Sequence, residues 1–434
     1  MAVVKPFRCI RPVPEKAAEA AALPYDVYSE EEARKEVAGK PFSFLNIDRP
    51  ETQFPEGTDP YGEEVYRKAG ELLKQRLRDG IYVEDPSPAY YIYELTMDGR
   101  SQTGIVGCSA VDDYLNGVVK KHENTREEKE LDRIRHVDVL NAQTGPIFLA
   151  YRASEAIGRE VERAKQNPPL YDFTAEDGVR HRVWEISGKE ETEKLETLFG
   201  GIGASYIADG HHRAASAVKV CLKRRAENPG YTGEEPFNYF LSVLFPHDQL
   251  RILPYYRVVT DWNDLTEEEL LREVRKNFQV EKAGERGISP FQPEKKGQFG
   301  MLMGDSWYRL TVKSEILKRV KDDPVGRLDV SLLQNYLLAP VLDIADPRIS
   351  SRIDFVGGIR GLKELERRTE EDMALAFSLY PTSIGELFSV ADAGLLMPPK
   401  STWFEPKLRS GLFIHSLKDE EDVHADILHH MEKE

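Results

Sequence analysis

The sequence predicts an α+β protein, because helical and strand patterns alternate along the whole chain. The clearest strand signal is a hairpin, in which Ala89–Met97 and Thr103–Val111 flank the turn dipeptide Asp98-Gly99. The clearest helix signals are capping boxes such as Ser29 followed three residues later by Glu32. At roughly 150 residues per domain, the 434 residues predict two or three domains.

The first segment, residues 1–115, is predicted to form an N-terminal α/β domain. Ala2–Ile10 is interpreted as a strand, and Pro41–Ile47 as another. Apolar residues recur at helical spacing over Tyr61–Asp79, and Gly80 is a typical residue after the end of a helix. The hairpin described above completes the segment.

The second segment, residues 116–260, is predicted to form a domain of mixed strands and helices. Its polar start, Lys120–Asp138, has the charge density of an exposed helix, whereas Pro146–Tyr151 is short and apolar, as in a buried strand. Ala204–Ala208 is a second apolar strand. Phe237–Phe245 and Arg251–Val259 are interpreted as strands that pair with each other.

The third segment, residues 261–434, is predicted to be an α+β domain. Thr266 with Glu269 predicts a capped helix. Met373–Tyr380 is interpreted as a buried strand and Ser383–Ala391 as the helix that follows it. Gly411–Leu417 is interpreted as a late strand.

Composition excludes several classes of protein. The chain has 59 basic and 75 acidic residues, a net charge of −16, which argues against nucleic-acid binding because that affinity comes from Lys and Arg. We expect no membrane span, because no apolar run approaches the roughly 18 residues required, and the start lacks a signal peptide's apolar segment. Three widely spaced cysteines favour reduced thiols and therefore a cytoplasmic location.

The most informative motif is Asp209-Gly210-His211-His212-Arg213, which joins an apolar strand to the helical run Ala214–Ala226. Backbone N–H groups and the helix dipole converge on an anion at such a junction, and Arg213 adds a fork of donors suited to phosphate. Asp209 is a candidate to cap the helix, to hold magnesium or to orient a hydroxyl. The alternative is an ordinary turn with a capping aspartate and solvated histidines.

A second candidate site is His122-Glu123-Asn124-Thr125-Arg126. It begins like a zinc-protease H-E-x-x-H motif, but Arg126 stands where the second histidine is needed, so the zinc interpretation fails. Glu123 remains a candidate general base. The alternative is a solvated carboxylate in a highly charged segment.

A third candidate site is the late polar cluster of Lys400, Ser401 and Thr402, set between prolines and aromatic residues. A loop stiffened in this way offers an ammonium group and two hydroxyls to a carboxylate or a phosphate. The alternative is a strand entry whose geometry is fixed by proline.

The three motifs, in this order, resemble those of free-serine kinases of the ParB/sulfiredoxin-like superfamily, which carry an H-E pair, a D-G-H-H-R motif and a late P-K-T-T stretch. The chain also resembles, over nearly its full length, a long bacterial family catalogued as domain of unknown function 1015. That second resemblance includes the P-Y-D-V start at Pro24–Val27 and the P-P-K-S-T-W-F end. Together the resemblances imply that residues 116–260 form a ParB/sulfiredoxin-like catalytic core with a mixed sheet. They also imply an extra domain on either side, of which residues 261–434 contribute a late substrate loop.

The resemblance also implies roles for individual residues. Glu123 takes the place of the catalytic glutamate, and Asp209 joins it as a catalytic residue. Gly210, His211, His212 and Arg213 take the place of the phosphate and nucleotide site. Substrate-binding positions are implied by the same comparison, with Ser401 standing where the kinases have threonine: His122, Thr125, Lys400, Ser401 and Thr402.

The implied activity is phosphoryl transfer to free L-serine, which gives O-phospho-L-serine. The implied donor is ATP, ADP or pyrophosphate, and Mg²⁺ is the expected cofactor. The superfamily's sulfiredoxin activity is excluded, because His211 occupies the place of the required cysteine. Two alternatives stay open: a nucleotide-binding regulator without turnover, and a kinase of another small alcohol.

Overall fold

The computed structural model describes residues 1–418. Its strands are β1 (Val4–Lys5), β2 (Cys9–Pro12), β3 (Tyr82–Glu84), β4 (Tyr90–Met97), β5 (Arg100–Ala110), β6 (Val119–Lys120), β7 (Ala142–Gln143), β8 (Ile147–Tyr151), β9 (Tyr171–Thr174), β10 (Arg180–Ile186), β11 (Ser205–Asp209), β12 (Tyr239–Pro246), β13 (Arg251–Leu253), β14 (Tyr255–Val259), β15 (Phe278–Glu285), β16 (Gln298–Met303), β17 (Ser306–Val312), β18 (Ile353–Gly357), β19 (Leu375–Leu379), β20 (Trp403–Glu405) and β21 (Ile414–Ser416). Its α-helices are α1 (Ala17–Ala20), α2 (Glu30–Val37), α3 (Leu45–Asp48), α4 (Glu63–Arg78), α5 (Val111–Leu115), α6 (Glu127–Leu140), α7 (Glu155–Ala164), α8 (Lys189–Gly200), α9 (His211–Glu227), α10 (Glu267–Asn277), α11 (Ser314–Arg319), α12 (Asp329–Leu333), α13 (Gly361–Glu371) and α14 (Ile384–Asp392).

These elements form two compact units. The first unit consists of Met1–Lys120, Thr125–Gln249 and the described residues from Pro406 onwards, and the second consists of Lys121–Asn124 and Leu250–Glu405. The two units do not test the three domains predicted from the sequence, which therefore stay predictions. None of the helices within residues 1–418 has the length and apolar character that a bilayer crossing requires.

A large mixed sheet dominates the first unit. Eight of its strands lie in the order β6-β11-β8-β12-β5-β4-β10-β9, and β1 pairs with β5 at its side. β11 runs parallel to β6 and antiparallel to β8, and β12 runs parallel to β8 and antiparallel to β5. The sheet's interior positions carry aromatic and branched side chains that are almost fully buried, among them Tyr90, Ile92, Leu149 and Phe240.

A smaller sheet completes the first unit, with strand order β3-β2-β21-β7. β21 comes from near the end of the described chain and pairs with β2 on one side and β7 on the other. A separate apolar cluster lies in this region and includes Phe44, Leu45, Ile47, Leu73 and Ile414.

The second unit contains a six-stranded sheet with the order β15-β17-β16-β19-β14-β18. Every ladder in it is antiparallel. A two-stranded ladder joins β13 to β20. Trp307, Val258 and Leu365 belong to the buried cluster of this unit.

The structure confirms the α+β class and many local predictions. Asp98 and Gly99 both have positive φ, at 52° and 74°, as the hairpin turn between β4 and β5 requires. The capping boxes of Ser29 and Thr266 are both formed. Helix α9 and strand β11 lie where the apolar patterns around the D-G-H-H-R motif predicted them.

Two strand predictions were wrong. Pro41–Ile47 does not form a strand; the chain turns and begins helix α3 at Leu45. A short apolar run does not distinguish a strand from a buried helical turn, and here the run supplies buried residues to a helix. Ala2–Ile10 is two short strands rather than one, interrupted at Pro6, and they belong to different sheets.

The predicted pairing of Phe237–Phe245 with Arg251–Val259 was also wrong. β12 has β5 on one side and β8 on the other, so neither of its edges is available to the following segment. That segment divides at Pro254 into β13 and β14, which pair with strands of the second unit.

Candidate functional site

The centre of the candidate site is the junction between β11 and α9. β11 ends at Asp209, Gly210 follows with φ 92°, and α9 begins at His211. The left-handed backbone at Gly210 is easily adopted by glycine alone and lets the chain turn from strand to helix in one residue. A register shift between Ile207 and Asp209, where β11 pairs with β8, changes the direction of the strand just before this turn.

The Asp209 carboxylate faces two cations. Its Oδ2 lies 3.4 Å from Arg213 Nη2 and 3.5 Å from Lys407 Nζ. Burial alone would raise the pKa of Asp209, but the positive charges of Lys407, Arg213 and His211 lower it to about 2. Asp209 is therefore ionised at neutral pH.

Arg213 is held close to the backbone of a neighbouring loop. Its Nη1 donates to the carbonyl oxygen of Pro146 at 2.5 Å, and its side chain is only 10% exposed. A Cβ at Gly145 would lie 3.1 Å from Arg213 Cδ, so the absence of a side chain at Gly145 gives the arginine its room. The guanidinium group is thereby fixed at the first turn of α9.

His212 connects the motif to the segment before α6. Its Nε2 accepts a hydrogen bond from the backbone N–H of Arg126 at 3.0 Å, so this nitrogen carries no proton. The His212 carbonyl in turn accepts from Ser216 Oγ at 2.8 Å, and the same hydroxyl lies 3.1 Å from the Glu130 carbonyl. The first turn of α9 is thus joined to α6 by side-chain and backbone hydrogen bonds.

Lys407 is a site residue that the sequence analysis missed. It lies close to Asp209 because the chain returns to the first unit at Pro406, just before β21. Its side chain is 14% exposed, unlike that of an ordinary surface lysine. No local pattern identified it, since a single lysine after a strand has no distinctive spacing.

His122 and Glu123 belong to the second unit, in its four-residue stretch Lys121–Asn124. His122 is 2% exposed, and its carbonyl oxygen accepts a hydrogen bond from the backbone N–H of Met397 at 2.8 Å. Glu123 is half-buried, as is Thr125, which lies in the first unit.

The late loop also belongs to the second unit. Lys400 has a φ of 57°, its carbonyl oxygen accepts from Arg257 Nη2 at 3.0 Å, and its ammonium lies 5.4 Å from the centre of the Tyr255 ring. The Arg257 side chain, which is buried, thus supports the turn from inside the unit.

Ser401 is 5% exposed and serves the loop itself. Its hydroxyl donates to the Pro398 carbonyl at 2.6 Å, and its carbonyl accepts from Thr382 Oγ1 at 2.9 Å. Thr402 is half-buried beside it. The roles of these residues in binding a substrate stay predictions.

Three of the solved structures that align with this chain are distant from it in sequence and in structure. Residues covering 71% of this chain and 91% of the other align with a variant of a free serine kinase in complex with AMP, at 13% identity and a TM-score of 0.35. A C-terminally truncated SbnI from Staphylococcus aureus aligns over 74% of this chain and 91% of its own, at 14% identity and a TM-score of 0.37. A conserved hypothetical protein from Pyrococcus furiosus aligns over 71% of this chain and 94% of its own, at 14% identity and a TM-score of 0.33.

Comparison of the sequence gives a clearer result. A search of curated proteins finds no match. The family model described as "Protein of unknown function (DUF1015)" matches residues 4–331, well over half of the chain. The protein therefore belongs to the DUF1015 family.

Proposed function

We propose that the protein is a kinase that transfers a phosphoryl group from a nucleotide or from pyrophosphate to the hydroxyl of free L-serine. The observation that carries the proposal is the arrangement of Asp209 with Arg213 and Lys407 at the start of α9. The order of the three motifs, which resembles that of free-serine kinases, supports the choice of acceptor.

The junction has the chemistry of a phosphate site. Arg213 and Lys407 contribute two positive charges and Asp209 one negative charge, so the cluster keeps a net positive charge for a donor anion. Gly210 leaves the start of α9 without a capping side chain, and the helix dipole favours an anion there. Asp209 keeps both cations directed toward this end of the helix.

Magnesium fits the same cluster. Oδ2 of Asp209 faces the two cations, and Oδ1 is the carboxylate oxygen that would hold a hard cation. When bound, Mg²⁺ neutralises charge on the phosphoryl oxygens. The residue that would hold it is Asp209.

Glu123 is the proposed general base, which accepts the proton of the serine hydroxyl as the phosphoryl group is transferred. Covalent geometry keeps Glu123 within about 11 Å of Arg126, whose N–H binds His212 of the phosphate motif. The hydrogen bond from Met397 to the His122 carbonyl anchors the neighbouring residue in the unit that carries Lys400. The choice of Glu123 as the base rests on the resemblance of the H-E pair to that of free-serine kinases.

The test is incubation of the full chain with L-serine and each donor in turn, ATP, ADP or pyrophosphate, with detection of O-phosphoserine by mass spectrometry. Threonine and homoserine in place of serine examine the choice of alcohol. Donor binding without any phosphorylated product would overturn the kinase proposal and leave a nucleotide-binding regulator.

The substitution Glu123→Gln tests the base. It should remove most of the turnover and leave donor binding nearly intact, because the amide keeps the shape of the carboxylate but accepts no proton. Glu127→Gln is the matched control, since Glu127 is an exposed glutamate in the first turn of α6. Full activity of the Glu123→Gln protein would contradict the assignment.

A further inference from the structure

A cavity inside the first unit is lined in part by charged groups that the proposed phosphate chemistry does not use. About 30 Å³ of it is open to the centre of a water molecule, which is room for a small group of atoms rather than for a nucleotide. Arg213 forms part of its wall, so the cavity adjoins the phosphate motif. The other polar side chains in its lining include Tyr25, Asp48, Arg133, His136 and Thr144.

Arg133 supplies the cavity's cation. It is 8% exposed, and Asp132 Oδ2 lies 2.9 Å from its Nε and 2.8 Å from its Nη2. The guanidinium carbon lies 4.0 Å from the centre of the Tyr25 ring, which is a cation–π contact. Within residues 1–418, no hydrogen bond engages Nη1, so this nitrogen is available to a ligand.

The surroundings of Arg133 keep it charged. Burial alone would lower the pKa of Arg133, but the negative charges of Asp132 and Asp48 and the proximity of Tyr25 raise it above its ordinary value. Asp132 is fixed from its other side, because Tyr66 donates its hydroxyl to Oδ1 at 2.8 Å.

Asp48 supplies the cavity's anion. It is 2% exposed and accepts a hydrogen bond from Thr144 Oγ1 at 3.0 Å. No lysine or arginine of the described chain forms an ion pair with it. A carboxylate has two oxygens with several acceptor sites, so Asp48 keeps acceptor capacity for a ligand.

His136 does not neutralise Asp48. Its Nε2 donates to the Ile47 carbonyl at 3.0 Å and lies 3.9 Å from Asp48 Oδ1. Burial, with the nearby charge of Arg133, lowers the pKa of His136, so the ring is neutral at pH 7.

A guanidinium nitrogen and a buried carboxylate, each with unused capacity, therefore line the same small cavity. We propose that this cavity binds the amino-acid acceptor as a zwitterion, with its α-carboxylate on Arg133 and its α-ammonium on Asp48. The inference deepens the proposed kinase function and rests on it for the identity of the acceptor. The wall formed by Gly145 and Arg213 would direct a short side chain toward the phosphate motif.

The size of the cavity favours the smallest hydroxy amino acid. The cavity is small, so it suits serine better than threonine or homoserine, whose additional methyl or methylene group needs more room. We expect serine to bind at least tenfold more tightly than either.

Calorimetric titration of the full chain with L-serine in the absence of donor tests the proposal. Arg133→Lys removes Nη1 while keeping a positive charge beside Asp132, and Asp48→Asn keeps the shape of the carboxylate while removing its charge. Each should weaken serine binding at least tenfold and leave the KM for the phosphoryl donor within twofold of the unmodified protein. Unchanged serine affinity in both variants would overturn the cavity assignment.

Matched controls separate a lost ligand contact from a damaged fold. Arg76 is a buried arginine of the same unit that donates to the carbonyl oxygens of Pro41 and Ser43, and Asp113 is a buried aspartate that accepts from the Val3 N–H. Arg76→Lys and Asp113→Asn should keep serine affinity. Should Arg133→Lys fail to fold, Thr144→Val provides a milder change, because it removes only the hydroxyl that binds Asp48, and it should also weaken binding.

The experiments distinguish rejection of the proposed kinase activity from rejection of the proposed binding of the amino acid in the cavity. Phosphoserine formation with serine affinity unaffected by Arg133→Lys and Asp48→Asn would retain the kinase and reject the cavity. Binding of another small amino acid that both variants weaken, without formation of a phosphorylated product, would retain the cavity and reject the kinase. A panel of the common amino acids therefore accompanies serine in the titration, and no binding of any of them would reject the cavity.

Discussion

Lys407 Nζ lies 3.5 Å from Asp209 Oδ2, although the two residues are far apart in the sequence. Arg213 approaches the same oxygen from its own helix. One carboxylate therefore orients two cations that come from different parts of the chain.

Lys407→Met should weaken donor binding by about 1.5–3 kcal/mol, the value of a charge-assisted hydrogen bond, or roughly ten- to a hundredfold. The KM for serine should change much less, because the lost charge faces the phosphate. Steady-state kinetics with the two substrates varied separately provides the measurement. Lys165→Met is the matched control, since Lys165 is a partly buried lysine of the same unit that pairs with Glu94 at 2.7 Å. If Lys165→Met weakened donor binding as much as Lys407→Met, the effect of Lys407 would come from the stability of the fold and the phosphate role would be rejected.

Arg213→Ala should weaken donor binding by about 1.5–3 kcal/mol, because it removes a fixed guanidinium group from the first turn of α9. Calorimetric titration with each donor is the measurement. Arg224→Ala, near the other end of the same helix, should leave donor binding intact. Donor affinity that is the same in the Arg213 variant as in the unmodified protein would rule out the phosphate role.

Gly210→Ala should reduce both stability and donor binding. An alanine at φ 92° is strained by about 1–2 kcal/mol, and its Cβ would lie 3.1 Å from Arg213 Cζ and Nε. Gly178→Ala is the control, because Gly178 has φ 80° and no atom within 4 Å of the added Cβ. Thermal unfolding should show a similar loss of stability in both variants, whereas only Gly210→Ala should lose donor affinity. A loss of donor affinity in the Gly178→Ala protein as well would contradict the geometry.

The unfolding free energy should decrease as the pH falls from about 6.5 to 4. Burial lowers the pKa of His415 from 6.5 to about 4, so the folded protein binds fewer protons than the unfolded chain in this window. The contribution of His415 to the free energy of unfolding is complete above pH 6.5 and falls by about 3 kcal/mol between pH 6.5 and pH 4. Denaturant unfolding at several pH values is the measurement.

His415→Gln should flatten this pH dependence, because it removes the proton uptake that accompanies unfolding at the ring hydrogen-bonded to the Pro236 carbonyl. The half-buried His247 provides the comparison, and His247→Gln should keep the slope. An identical slope in the unmodified and His415→Gln proteins would refute the assignment.

Local features of the site could be predicted from the sequence because they depend on neighbouring residues. An apolar strand, a glycine and a helical run are contiguous around Gly210, and the structure has β11, a left-handed glycine and α9 at those positions. The capping boxes of Ser29 and Thr266 are local in the same sense.

Features that depend on long-range packing could not be predicted. Lys407 reaches Asp209 because of where β21 returns in the fold, and no spacing in the sequence encodes that return. The wrong pairing of the strand at Phe237–Phe245 has the same origin, since its edges are taken by β5 and β8. The cavity of Arg133 and Asp48 also brings together distant segments, which no single motif contains.

The order of synthesis gives the position of β21 a further consequence. The first unit starts at the N-terminus, yet β21, between β2 and β7, is among the last described elements to leave the ribosome. Lys407 emerges just before it. A nascent chain that ends before Pro406 therefore has neither the inner strand of the small sheet nor the second cation beside Asp209, so the site is assembled only after translation has passed Lys407 and β21.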